Sequence, residues 1–215
     1  MDKFIGDAIM AYWNAPADVE NHADKAVCAA LEQLKYLEIL NQKLIQDNKP
    51  TIDIGIGINT GIAIVGEMGS RGRSDYTVIG DPINLGARLE SLCKFYGSRL
   101  NISNYTKALL KDEYVYRFLD LVKVKGKEKP VEIWQVIDFG EASVELKEEL
   151  DSYQHAINLY HNQKFEEALK VFEELNQSEF KSNEKIYALY IQRCQMYIQT
   201  PPVKFDGVFE HTTKG

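Results

Sequence analysis

The sharpest pattern in the chain is a strict alternation. Ile52, Ile54, Ile56 and Ile58 recur at every second position, with Gly55 and Gly57 between them. A period of two predicts a β-strand over 52–58 with one apolar face. Glycines on the other face predict that a neighbouring element packs closely there. Asn59-Thr60-Gly61 reads as a turn into a partner strand, Ile62 to Met68, followed by a polar loop over Gly69 to Ser74 and a short strand from Asp75 to Ile79. Near the start, Lys3-Phe4-Ile5 and Ala8 to Trp13 flank Gly6-Asp7. This is a hairpin whose turn glycine makes by accepting a positive φ, and Asn14-Ala15-Pro16 ends its second strand.

Spacings of three and four mark the helices. Val27, Ala30, Leu31, Leu34, Leu37 and Leu44 predict a long helix from about Ala17 to Asp47, stopped by Asn48-Lys49-Pro50. Gly80-Asp81-Pro82 opens another, through about Tyr96, with proline suited to the first helical position. Leu100-Asn101-Ile102 predicts a strand, Ser103 to Leu110 a short helix, and Val115 to Val124 with Val131 to Phe139 a closing hairpin. From Glu141 the strand patterns vanish. Ala156, Tyr160, Ala168 and Phe172 have the small and aromatic spacing of one tetratricopeptide unit, and 186–198 would be the next helix. One such unit cannot bury its own face, so this part is read as a helical cap docked on the first part or as the start of a longer array. The expected division is a mixed α and β unit over 1–139, a helical tetratricopeptide-like region over 140–200 and an irregular tail over 201–215.

Composition narrows the class. With 215 residues, 45% of them hydrophobic, the chain can bury a core and is not disordered. A formal net charge of −7 argues against a nucleic-acid partner, because neutralising phosphates takes a surplus of Lys and Arg. No apolar run approaches a membrane span of about 18 residues, and the start lacks a signal-peptide pattern. Cys28, Cys93 and Cys194 are few, odd in number and far apart, which fits a reducing compartment and no disulfide framework or zinc site. A cytoplasmic protein is expected.

Three places could carry chemistry. Asn84 and Arg88 are four apart and share a helix face, an amide donor beside a guanidinium in the first turns, suited to an oxyanion or phosphate. By spacing alone, a capping Asn and a solvated Arg account for them as well. Asp7 sits at a hairpin tip, where a carboxylate can leave the sheet and meet a hard cation, although ordinary turn chemistry also explains a lone Gly-Asp. Lys3 lies on the strand entering that turn and by itself reads as a solvated edge lysine.

Taken together these stretches resemble the class III nucleotidyl cyclases. Asp2-Lys3-Phe4-Ile5-Gly6-Asp7-Ala8-Ile9-Met10-Ala11 is similar to one signature of that family. Ile54 to Gly61 with Val65 to Ser70 looks like the next, Asp75 to Glu90 the third, and Val124-Lys125-Gly126-Lys127 the closing hairpin. The resemblance covers about residues 1–138. It implies an α+β fold with a ferredoxin-like nucleotidyl cyclase sheet and flanking helices, followed by a small C-terminal all-α region. It implies an adenylate cyclase that forms 3′,5′-cyclic AMP and pyrophosphate from ATP, active as a homodimer with composite sites at the interface. By the resemblance, Asp7 is a metal aspartate for Mg2+ or Mn2+. Lys3 and Thr77 read the purine, Asn84 and Arg88 hold the ribose and stabilise the transition state, and Lys125 contacts the terminal phosphates, with Lys127 a second candidate. Lys with Thr or Asp at these positions goes with adenine, whereas guanylyl cyclases usually carry Glu and Cys.

The chain departs from the family at one place. The family's first strand, which ends in a Phe-x-Asp-Ile type motif and supplies the other metal aspartate, has no counterpart here. That strand lies centrally in the family's sheet, so unpaired backbone edges are expected. A fragment of a longer cyclase, weakly active or inactive as it stands, is therefore expected, with a regulatory domain upstream in the parent protein. The alternatives are a catalytically inactive remnant serving as a dimerisation or interaction module, and a guanylate cyclase.

Overall fold

The computed structural model describes residues 2–70, 73–123 and 130–208. In chain order the elements are β1 (Lys3–Ile5), β2 (Ala8–Met10), α1 (His22–Gln46), β3 (Ile56–Ile58), β4 (Ile64–Ser70), β5 (Arg73–Ile79), α2 (Asp81–Tyr96), β6 (Leu100–Ser103), α3 (Asn104–Lys107), β7 (Tyr114–Val122), β8 (Val131–Phe139), α4 (Val144–His161), α5 (Phe165–Gln177) and α6 (Glu184–Gln199). The central sheet has the order β3-β6-β8-β7, with β3 parallel to β6 and the other pairs antiparallel. The β1–β2 hairpin and the β4–β5 hairpin are separate two-stranded ribbons. Among the described residues the expected strands thus form three separate sheets, and β3 is an edge of the largest.

Apolar side chains seal both faces of this sheet. On one face Val27, Ala30 and Leu31 of α1 meet Leu100, Ile102 and Val136. On the other, Leu85, Leu89 and Tyr96 of α2 share one cluster with Phe118, Leu119, Val131 and Ile133 of the sheet and with Tyr153, Tyr160, Phe172 and Tyr190 of the C-terminal helices. The glycines of the alternating strand explain how closely α2 lies. A Cβ on Gly57 would come within 2.3 Å of the Glu90 nitrogen and the Gly86 oxygen, and one on Gly55 within 2.9 Å of Cys93 Cβ.

The second hairpin strand ends at Met10 instead of Trp13, and the partner strand begins at Ile64 instead of Ile62. Four further boundaries differ from the sequence reading, each for a local reason. α1 begins at His22 instead of Ala17 because Asn14 Oδ1 accepts from the Val19 amide at 2.7 Å and Asn21 adopts a left-handed backbone (φ 52°). The strand expected over 52–58 is regular only from Ile56. Ile52 gives its N–H to Asn41 Oδ1 at 2.8 Å, and its carbonyl accepts from Asn41 Nδ2 at 2.7 Å, so α1 takes the backbone groups that a strand partner would use. The loop expected over 69–74 is mostly ladder, since pairing of β4 with β5 runs out to Ser70 and Arg73. The helix expected over 103–110 is only Asn104–Lys107, with Ser103 Oγ accepting from the Thr106 amide as its cap.

The C-terminal helices are tied to β7 by buried polar contacts as well as by apolar ones. Tyr153 and Tyr190 donate their hydroxyls to the consecutive carbonyls of Phe118 and Leu119, each at 2.8 Å. The β7–β8 ladder shifts register between Phe118 and Asp120. Leu119 is the extra residue of that bulge, and Tyr190 supplies a partner for a carbonyl the ladder leaves over. Beside it Arg193 of α6 meets Asp120 at 2.7 Å, and Arg117 lies 3.7 Å from Glu149 of α4. Beyond α6, Phe205 packs on Tyr160 and Phe165 with ring centroids 5.4 and 5.3 Å apart.

Candidate active site

The hairpin at the N-terminus pairs Lys3 with Met10, Phe4 with Ile9 and Ile5 with Ala8. Gly6 turns the chain with φ 64°, a conformation that favours glycine. The turn presents Asp7 to solvent at its tip, as the sequence reading expects. Asp2 extends the ladder by one bond, its amide donating to the Met10 carbonyl at 2.9 Å.

Asp2 joins two of the sequence-named residues. Its side chain is only 3% exposed, and Lys3 Nζ lies 3.8 Å from Oδ2. Thr77 of β5 donates its hydroxyl to the same oxygen at 2.8 Å. One carboxylate therefore pins the β1–β2 ribbon to the β4–β5 ribbon and gathers Lys3 and Thr77 around itself. The nearby Tyr12 phenol is pushed up from its ordinary value, by burial first and by the Asp2 charge second. The sequence reading missed Asp2 as a site residue, because no periodicity marks it and its partner is 75 positions away.

The second group stands on α2. Asn59 holds the helix's first turn, donating from Nδ2 to the Pro82 carbonyl at 2.9 Å while its Oδ1 accepts from Ser103 Oγ at 2.5 Å. Leu85 and Leu89 are buried, which turns the other face outward. Asn84 is exposed on the helix, and half-buried Arg88 donates from Nη1 to the Lys123 carbonyl at 3.2 Å. Arg88 is thereby anchored at the end of β7, just before residues 124–129. Lys125 and Lys127 lie outside the described residues, as does Val124, expected as the last residue of a strand. At its other end α2 is gripped by α6. Asn183 Nδ2 donates to the Tyr96 carbonyl at 3.1 Å, and Lys185 Nζ donates to the Lys94 carbonyl.

No hydrogen bond or ion pair among the described residues joins Lys3 or Asp7 to Asn84 or Arg88. The described residues also hold no cluster of three or more His, Cys, Asp or Glu that could bind a metal ion. Asp7 is a single exposed carboxylate, and hard cations need several oxygen ligands. These residues alone do not make a metal centre. No described helix is long and apolar enough to cross a membrane.

What gathers here is a basic and hydroxyl pair at a carboxylate on one side, and an amide and guanidinium on a helix on the other. The chain that carries these residues matches one family. Residues 3–138 match the adenylate and guanylate cyclase catalytic domain. A terminal-differentiation specific adenylate cyclase of Dictyostelium discoideum is 39% identical over 206 residues, which is 93% of this chain and 9% of that protein. Adenylate cyclase 1 of Rhizobium meliloti is 36% identical over 135 residues, 63% of this chain and 20% of that protein. The chain thus spans a small part of the curated relatives it matches. Among solved structures, the adenylyl cyclase CyaB from P. aeruginosa is 35% identical with a TM-score of 0.57, covering 65% of this chain and 72% of that one. The guanylyl cyclase Cya2 is 34% identical with a TM-score of 0.56, covering 66% and 72%. With the family match reaching from the first hairpin to the last strand of the sheet, the chain belongs to the adenylate and guanylate cyclase catalytic domain family.

Proposed function

We propose that this chain is the catalytic part of an adenylate cyclase, which converts ATP to 3′,5′-cyclic AMP and pyrophosphate. In that reaction the ribose 3′-oxygen attacks the α-phosphorus, the bond to the bridging oxygen breaks, and the hydroxyl proton is lost. Charge gathers on the phosphoryl oxygens, so positioning and cationic donors are what the site must supply. The observation that carries the reading is the gathering of Lys3 and Thr77 at Asp2. A lysine donor beside a threonine oxygen fits the N1 acceptor and exocyclic amine of adenine. Asn84 would orient the ribose, and Arg88 would face the developing charge on the α-phosphate. Lys125 would meet the terminal phosphates.

The active form is proposed to be a homodimer. Lys3, Asp7 and Thr77 would serve one site together with Asn84 and Arg88 of the second copy. Phe4, Ile9 and Ile64 are exposed on the two separate ribbons and give such an interface its apolar area. Asp7 is proposed as one ligand of Mg2+ or Mn2+. The remaining ligands would come from a further strand completing the sheet between β3 and the hairpin. The separate ladders support that arrangement. Residues 140–200 are read as a tetratricopeptide-like cap on the catalytic unit of 1–139, in a protein with its own upstream regulator working in the cytoplasm.

The test is to incubate the purified chain with ATP or GTP and Mn2+ and to separate the products by chromatography. Slow formation of cyclic AMP, rising faster than linearly with protein concentration, is expected. Cyclic GMP as the main product would replace the reading with a guanylate cyclase. ATP binding with no turnover, even when a strand carrying the second aspartate is supplied, would favour a non-catalytic interaction module. The lone Asp7 carboxylate gives that second reading its footing.

A further inference from the structure

Asp2 does more than tie two ribbons together. A threonine hydroxyl on its own does not discriminate between purines. It can accept from the exocyclic amine of adenine or donate to the carbonyl oxygen of guanine. Thr77 is buried and donates its proton to Asp2 Oδ2 at 2.8 Å. A carboxylate only accepts, so while this bond stands the Thr77 oxygen has lone pairs to offer and no proton. The same carboxylate oxygen lies 3.8 Å from Lys3 Nζ, a group that only donates. Lys3 and Thr77 then present a fixed donor and acceptor pair. Adenine offers the complement, an acceptor at N1 and a donor at its amine. Guanine offers the reverse and would leave a buried group without its bond.

We infer that Asp2 is a specificity-determining residue, which sets ATP over GTP by holding the Thr77 hydroxyl as an acceptor. The inference rests on the proposed reading of Lys3 and Thr77 as the purine contacts. Asp2 touches no substrate atom in it and acts through Thr77 as a positioning residue. In Asp2→Asn the amide can donate to Thr77, which frees the hydroxyl proton to turn toward the base.

The experiment is equilibrium binding of the α,β-methylene analogues of ATP and GTP to the purified chain by calorimetry. Wild type should prefer the ATP analogue, and Asp2→Asn should reduce that preference about tenfold, the worth of one hydrogen bond. Asp2→Asn combined with Thr77→Val should lose nothing beyond Thr77→Val alone, because the effect passes through that hydroxyl. Asp2→Asn combined with Thr77→Asp should regain the preference, since a carboxylate at 77 needs no help to be an acceptor. An unchanged preference in Asp2→Asn overturns the inference and leaves the adenylate cyclase reading standing. A wild type with no preference for the ATP analogue overturns both. Should Asp2→Asn fail to fold by circular dichroism, Asp2→Ala, which removes the carboxylate that takes the Thr77 proton, is read in the same way.

Discussion

Arg193 and Asp120 meet at 2.7 Å with side chains 2% and 1% exposed, so the last helix of the chain is bonded to the bulged strand out of reach of water. Tyr96 of α2 donates to the same carboxylate oxygen at 2.9 Å, and the Leu121 amide donates to the other, also at 2.9 Å. Burial pushes the Tyr96 phenol well above its ordinary value, with the Asp120 charge adding to it. Arg193→Met takes the guanidinium away from a buried carboxylate and should cost about 3–5 kcal/mol in urea unfolding. Asp120→Asn together with Arg193→Met should recover more than half of that loss, because no buried charge is then stripped of its cation.

The packing of α2 on β3 gives a paired prediction. Gly57→Ala puts a methyl 2.3 Å from backbone atoms of Gly86 and Glu90, and neither can turn aside. The helix must move, at a cost of about 3 kcal/mol or more. Gly66→Ala is the control, since a Cβ there meets nothing within 4 Å. Its stability should stay within about 0.5 kcal/mol of wild type. Thermal melts of the two variants, measured side by side, check this.

Arg88 is proposed to act on charge that exists only in the transition state. In an active dimer, Arg88→Ala should lower kcat by about 100-fold and change the KM for ATP by less than about threefold. Arg88→Lys should restore part of the rate. A KM effect with kcat intact would move Arg88 to ground-state binding and leave its bond to the Lys123 carbonyl as its main role.

His161 supplies a pH dependence. Burial holds its imidazole below the usual 6.5, opposed by the charges of Asp120 and Glu132, and its ring packs edge-on against Phe118 at 5.5 Å. The unfolded chain then binds this proton more readily than the folded one, so stability rises with pH through this range. The melting temperature should fall as pH drops from about 7.5 to below the unfolded value of 6.5. His161→Gln should flatten that slope. An unchanged slope would assign the pH dependence to other groups.

Much of the architecture was legible because its signals are local. Gly6-Asp7 announces its turn through the one residue that tolerates positive φ, and Pro82 marks the first turn of α2. Gly55 and Gly57 foretold a close neighbour, and α2 is that neighbour. The short β3 was not legible. Ile52 alternates perfectly with its successors, yet Asn41, on a helix eleven residues earlier, takes its backbone groups. Among the candidate residues, spacing placed Asn84 and Arg88 on one helix and turn chemistry set Asp7 at a hairpin tip, while Thr77 and the purine-contact reading of Lys3 came only through likeness to a family. Asp120, Arg117, Glu149 and Arg193 were invisible, because a buried ion pair between strand and helix leaves no periodic trace, and Asp2 was missed because its partner Thr77 lies 75 positions away on another ribbon. Arg193 and Asp120 are 73 positions apart.

The three grips on α2 bear on the thermodynamics of binding. Asn59 fixes its first turn, the Lys123 carbonyl takes Arg88 in its middle, and Asn183 and Lys185 hold its last carbonyls. The conformational entropy of this helix is lost when the chain folds. A nucleotide bound as proposed at Asn84 and Arg88 would have little backbone left to order, so more of its interaction energy would go into affinity or rate.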